Sequence, residues 1–435
     1  MTTAAIATLI LVGLFLGLVL LRVPVVYSIG IACLVDFFYL GINPMQMALK
    51  FISNLNSYTL LAVPFFILRG ELMSRGGISD RLIVLSRELV GWIRGGLAMV
   101  NIVASVFFGG ISGSSSADCA SIGPILIPMM EQEGYDRDFS TCVTMASSVQ
   151  GMLIPPRQNM VIYTLAAAGV ASVSIGQLFM AGYLPGLLLA AALMVYSYYV
   201  SKKKNYPVSN SFNLRSAVKA LGSAIWGLLA ILIVVVGVVA GVFTTTESAA
   251  CAVVWSLVVG LFIYRGFKVK DIPEIFHNVV MMLGRILILL GVSGVFSYLL
   301  TYLRIPDQVA AAIFSLTTNK YLILICINIL LLVLGCLVEM ACLILMITPV
   351  ILPIWLSLGL SPIHLGVVMI LNLGIGLITP PVGSTLFIGS AVSGISIEKL
   401  SKSMVPFYLV MVITLLILTF FPQTFMWLPN LIYGV

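Results

Sequence analysis

Charge is scarce in this 435-residue sequence. Asp, Glu, Lys and Arg make up 9% of it, 61% is hydrophobic and the mean hydropathy is +1.17, whereas about a quarter of a soluble domain is charged. That excludes an ordinary soluble globular protein. Histidine is nearly absent, with only His277 and His364, and the seven cysteines (33, 119, 142, 251, 326, 336, 342) lie in apolar segments without metal-ligand spacing. Neither a zinc site nor a disulfide framework finds support there. There is no H-E-x-x-H and no phosphate-binding G-x-x-x-x-G-K-[ST] motif, so no metalloprotease or internal ATPase is expected, and no cofactor. The net charge of +7 reads as membrane orientation rather than affinity for nucleic acid, because basic loops stay on the cytoplasmic side. Residues 4–21 have no basic residue before them and no small-residue cleavage site after them, which favours a retained span over a secretory signal.

Glycine and proline, by contrast, recur in register. Gly110/Gly335, Pro124/Pro349, Pro128/Pro353, Gly134/Gly359, Gly151/Gly376, Pro155/Pro380 and Pro156/Pro381 share one interval, 110 to 335 being 225 positions. They fall inside apolar stretches, so each half interrupts its helices twice at matching points. Paired, broken hydrophobic segments point to a secondary transporter, because the interruptions expose backbone groups that can bind ions and substrate near the bilayer midplane.

A full span needs about 20 apolar residues. The runs 97–108 and 117–130 flank the Gly/Ser-rich stretch Gly109-Gly110-Ile111-Ser112-Gly113-Ser114-Ser115-Ser116, and each arm reaches only about 18–21 Å at about 1.5 Å per residue. This predicts a re-entrant helical hairpin, and 322–356 predicts a second with its tip at 335–339. After each hairpin a longer segment, 140–168 and 363–392, is broken at a proline pair, since proline removes backbone donors and pushes its predecessor out of helical geometry. Apolar stretches near 4–21, 25–41, 56–74, 176–200, 219–242, 247–264, 278–300 and 404–421 bring the expectation to ten spans plus two hairpins.

The basic residues fit this count. With the N-terminus outside, Arg22, Arg75, Arg81, Arg87, Arg94, Arg137, Lys202, Lys203, Lys204, Arg215, Lys219, Arg265, Lys268, Lys270, Lys399 and Lys402 fall on the cytoplasmic side, and only Lys50, Arg304 and Lys320 fall clearly outside. The hairpins then open to opposite sides, which makes the repeat inverted. The expected fold is an all-α polytopic membrane protein of elevator type. Its scaffold is 1–96, 176–321 and 404–435, and its transport-domain halves are 97–175 and 322–403. Two segments, 78–93 and 305–316, read as amphipathic arms along the membrane surface or as flexible loops.

The sequence resembles the large membrane subunit of the tripartite ATP-independent periplasmic (TRAP) transporters. The likeness runs through Leu61-Ala62-Val63-Pro64-Phe65-Phe66-Ile67-Leu68-Arg69-Gly70-Glu71-Leu72-Met73, through Ser112-Gly113-Ser114-Ser115-Ser116-Ala117-Asp118 and Ile154-Pro155-Pro156, and through Thr379-Pro380-Pro381-Val382-Gly383 with Leu386-Phe387. The resemblance implies sodium-driven import of a carboxylate such as sialic acid or a C4-dicarboxylate, a bacterial inner-membrane location, a small four-helix membrane subunit and a periplasmic substrate-binding protein. The chain departs from the family pattern at Arg157-Gln158-Asn159, at Glu339 and at Ser384-Thr385. A stand-alone sodium-coupled carboxylate carrier would share the broken helices. An intramembrane enzyme would have to use Asp118, Glu339 and His364, which are not spaced as a catalytic set.

Sodium wants several oxygen ligands, and unwound backbone supplies carbonyls without net charge. One candidate cage is Ser112, Ser114, Ser115, Gly151 and Pro155, the other Gly335, Glu339, Gly376, Thr379 and Gly383; equally, small residues can serve only close helix packing. Arg157 is the sharpest single signal, a charge deep in an apolar region beside the start of a half-helix. Its guanidinium suits a substrate carboxylate, with Asn159, Ser116, Ser384 and Thr385 as companions, or an internal pair with Asp118 or Glu339, or a water-filled vestibule. Asp118 fits both a helix-dipole role and sodium coordination. Glu247 fits a capping box with Thr244.

Overall fold

Glycine and proline cut the apolar chain into helices near the expected places. The computed structural model describes residues 3–21, 23–209, 211–317 and 319–434, so Arg22 lies outside the described residues. Among the described residues there are twenty α-helices and no β-strand. The first half comprises α1 (Thr3–Leu20), α2 (Val25–Tyr39), α3 (Pro44–Leu55), α4 (Ala62–Arg75), α5 (Ile78–Val90), α6 (Gly96–Ser112), α7 (Ser115–Gln132), α8 (Arg137–Gly151), α9 (Gln158–Ala167) and α10 (Ile175–Lys203). The second comprises α11 (Leu214–Val239), α12 (Thr245–Val258), α13 (Ile272–Tyr302), α14 (Ile305–Leu316), α15 (Lys320–Gly335), α16 (Met340–Ser357), α17 (Pro362–Gly376), α18 (Ser384–Ser393), α19 (Ile397–Phe420) and α20 (Gln423–Tyr433). By length and composition, α1, α10, α11, α12 with its continuation to Ile263, α13, α16 and α19 can each cross a membrane, and α3 with α4 forms a pair bent by 58°.

The hairpins are α6–α7 and α15–α16, and their arms are longer than the apolar runs suggested. Helix α6 continues through Gly109, Gly110, Ile111 and Ser112 and stops only at Gly113, whose φ of +78° is open to glycine at little cost. The 18-residue α7 and α16 therefore reach about 27 Å each, and α16 is also apolar enough to cross a membrane by itself. Both proline pairs form the expected breaks, between α8 and α9 and between α17 and α18, and both Pro155-Pro156 and Pro380-Pro381 are cis.

Helix α17 is buried from Ile363 to Gly376, and α8 from Phe139 to Gly151. Such all-round burial puts the two half-helices at the centre. Both candidate arms are helical. Helix α5 buries Ile78, Leu82, Ile83 and Leu85 against α6 and α11, and α14 packs on α16. At the start of α12, Thr244 Oγ1 accepts from Glu247 N–H at 3.3 Å while Glu247 Oε2 accepts from Thr244 N–H at 2.8 Å, the expected capping box. Two helices had no sequence expectation. Helix α3 packs on α13 through Asn54, whose Nδ2 donates to Leu290 O at 2.7 Å, and α20 packs on α10.

Candidate functional site

Each inner hairpin arm packs against the second half-helix of the other half. Helix α7 meets α18, and α16 meets α9. At the first crossing the N-termini touch: Ser116 Oγ lies 3.3 Å from Ser384 Oγ and 3.1 Å from Thr385 Oγ1, and Thr385 Oγ1 donates to Ser115 Oγ at 3.1 Å. At the second, Asn159 Nδ2 donates to Met340 Sδ at 2.9 Å. Helix N-termini present free N–H groups and a partial positive charge, so this arrangement favours an anion.

One turn into α7, Asp118 anchors a buried polar cluster. Ser112 Oγ donates to Asp118 Oδ1, and Arg157 Nη2 pairs with Asp118 Oδ2 at 3.0 Å, with the two side chains 0% (Asp118) and 1% (Arg157) exposed. Arg157 Nε donates to Gly151 O at 2.9 Å, while Arg157 Nη1 is buried without a partner among the described residues. Gly151 makes this possible, because a Cβ there would sit 3.0 Å from Ser105 O, 3.1 Å from Arg157 Nη2 and 3.2 Å from Asp118 Oδ2. At the same tip, Arg69 of α4 donates from Nη2 to Gly110 O at 2.7 Å and Ile111 O at 3.3 Å. Its Nε and Nη1 are buried and unpartnered among the described residues.

The second half is built from backbone instead. A Cβ on Gly376 would lie 2.4 Å from Gly335 C, so glycine at both positions lets α17 and α15 touch backbone to backbone. In the first half the equivalent contact is made by Gly109 on Gly151, one residue out of the repeat register, while Gly110 faces Ile231. Val382 N donates to Cys336 O at 3.1 Å, Thr385 N to Leu377 O at 3.0 Å, Gly383 N to Thr379 O at 3.2 Å, and Thr379 Oγ1 to Ile375 O at 2.7 Å. Glu339 sits at the N-cap of α16 with its side chain exposed. Residues 152–159 of the first break are all buried, whereas Pro380, Pro381, Val382 and Ser384 of the second are exposed.

The structure therefore brings Ser115, Ser116, Ser384 and Thr385 together, and Ser112, Gly151 and Arg157 around Asp118. Arg157 pairs with Asp118 and not with Glu339. Pro155 lines an apolar cavity of about 370 Å³ with Gly110, Ile154, Tyr183 and Ile231, and Ser114 O accepts from Ser112 Oγ at 3.2 Å. A cleft of about 350 Å³ lies elsewhere, lined by Ser293, Ser297, Arg304, Asp307 and Pro349. Two buried charged residues had no role assigned from the sequence, Arg69, which stood only within the stretch that resembles the family, and Asp36 of α2, whose two carboxyl oxygens have no partner among the described residues. Each was signalled by a charge within an apolar run.

A helical membrane protein with two hairpins and two broken helices is the architecture of a transporter. Residues 12–424 match the family described as "Tripartite ATP-independent periplasmic transporter, DctM component", and the chain belongs to that family. It is 37% identical to the C4-dicarboxylate TRAP transporter large permease protein DctM of Pseudomonas aeruginosa, over 88% of this chain and 89% of that one. It is 36% identical to the sialic acid TRAP transporter large permease protein SiaM of Vibrio cholerae, over 97% and 98%. The crystal structure of the Alcanivorax borkumensis YdaH transporter has the same fold, with a TM-score of 0.65 at 16% identity over 96% of this chain and 98% of that chain. The expectation of a membrane transporter component rather than an enzyme agrees with these relationships.

Proposed function

We propose that this chain is the large permease subunit of a sodium-coupled importer of an organic acid. It works in the bacterial inner membrane with a small four-helix membrane subunit, and a periplasmic binding protein delivers the substrate. The observation that carries the reading is the crossed pairing of helix N-termini between the halves, with the unpartnered Nη1 of Arg157 one turn away. The N-termini and Arg157 favour a carboxylate. The helix C-termini at the breaks offer carbonyls for the coupling sodium. The named relatives carry C4-dicarboxylates and sialic acid, both of which present a carboxylate. In this reading residues 97–175 and 322–403 are inverted repeats that move together as the transport domain, elevator fashion, against a scaffold of 1–96, 176–321 and 404–435. Ser116, Asn159, Ser384 and Thr385 line the substrate path beside Arg157.

Uptake into proteoliposomes tests this. The chain, reconstituted with its membrane subunit and loaded binding protein, should accumulate substrate under an inward sodium gradient and be indifferent to ATP. Equal uptake in sodium-free medium would remove the coupling assignment. Uptake that needs neither other protein would instead identify a stand-alone carrier.

A further inference from the structure

The two halves treat the carbonyl ends of their broken helices differently. A helix C-terminus leaves four carbonyls without an intrahelical donor and carries about half a negative charge, so it must be met by a donor or a cation. In the first half guanidinium groups meet it. Arg69 bonds Gly110 O and Ile111 O at the end of α6, and Arg157 bonds Gly151 O at the end of α8. Backbone N–H groups serve both halves, Ile154 to Gly151 O in the first and Thr379 to Gly376 O in the second, but where the first half adds guanidinium donors the second adds only another backbone one, from Val382 to Cys336 O. No arginine or lysine among the described residues donates to α15 or α17.

The formal charges diverge accordingly. Around the first tip lie two arginines and one carboxylate, Asp118; at the second tip lies Glu339, whose exposed side chain has no ion-pair or hydrogen-bond partner among the described residues. Sodium entering the first half would meet a net positive charge and carbonyls already held by guanidinium groups, whereas in the second half it would meet an unpaired carboxylate and exposed unwound backbone at 380–382.

We propose that Arg69 and Arg157 are resident cations that fill the cation-binding end of the first half, so that exchangeable sodium is confined to the second half, with Glu339 as its charged ligand. This rests on the sodium-coupled reading above. It leaves Arg157 Nη1 for the substrate and makes Arg69 a determinant of ion stoichiometry.

Binding of isotopic sodium to the purified permease with its membrane subunit tests it. The native protein should take up one sodium per permease, and Glu339→Gln should weaken sodium tenfold or more. Arg69→Met, which keeps apolar bulk but frees the carbonyls of Gly110 and Ile111, should admit a second sodium and turn the sodium dependence of uptake from hyperbolic to sigmoidal. Two sodium ions on the native protein, or unchanged affinity in Glu339→Gln, would overturn the proposal while leaving sodium coupling intact. No sodium on the native protein would remove the parent reading as well. If Arg69→Met does not fold, the native stoichiometry and Glu339→Gln still decide.

Discussion

Arg157 uses its donors in two directions and keeps a third in reserve: Nε caps the end of α8, Nη2 pairs with Asp118, and Nη1 is free of protein partners among the described residues. Truncating it has two separable effects. Removing one member of a buried pair typically costs about 3–5 kcal/mol because the other charge is stranded, so Arg157→Ala should give little folded protein. Arg157→Ala combined with Asp118→Ala removes that stranded charge and should restore a monodisperse protein in detergent. Substrate affinity in the double variant should still fall about ten- to hundredfold, the equivalent of a charge-assisted contact worth roughly 1.5–3 kcal/mol. A native KM for uptake in the double variant would show that Arg157 does not touch the substrate. The presence of Arg157 was legible in the sequence as a charge in an apolar region. Its partner was not, because Asp118 and Glu339 fit equally well until folding set the first 3.0 Å away.

At the scale of elements, the proline pairs and the hairpins were legible because glycine and proline act locally on the backbone. The arm lengths were not. Gly109 and Gly110 read as a loop, yet they lie inside α6, where Gly109 allows the close approach to Gly151. Helices α3 and α20 escaped because they are short and only partly apolar, and what holds them is contact with α13 and α10. The loop between α7 and α8 is tied down outside the membrane span: Asp136 accepts from Lys204 Nζ at the end of α10 and from Tyr206 Oη at 2.9 Å. The hydrogen bond from Lys204 holds the Asp136 carboxyl below its usual value of 3.8. A carboxyl lowered on folding contributes stability that is full above its unfolded pKa and disappears as pH falls through the folded one. Asp136→Asn should therefore lower the unfolding midpoint at pH 7, by less than about 1 kcal/mol because both partners are about half exposed. The gap between variant and native protein should close progressively below pH 3.8.

For the whole molecule, the distribution of basic residues makes a prediction independent of any ligand. Single cysteines replacing Lys203 and Lys268 should react with an impermeant maleimide only from the cytoplasm, and one replacing Lys320 only from the periplasm. Labelling of 203 and 320 from the same side would break both the span count and the inverted repeat. The 225-position interval, read from 110 to 335, makes the two-half organisation legible in the sequence. It could not reveal that the walls of the site are shared crosswise, since an interval relates equivalent positions and not the ones that touch.

That crosswise sharing bears on how the protein is made. Ser116 is bonded to Thr385, 269 residues later in the chain, and at a synthesis rate of about 5–20 residues per second the ribosome takes roughly 13–54 s to cover that distance. Throughout that interval the hydroxyl-rich start of α7 has been translated and its helical partner has not. Either it waits near water, outside the hydrocarbon, or another protein shields it. Biogenesis of this permease is thus a problem of storage as much as insertion: the first half has to be held in a provisional position in the bilayer until the last quarter of the chain arrives to complete it.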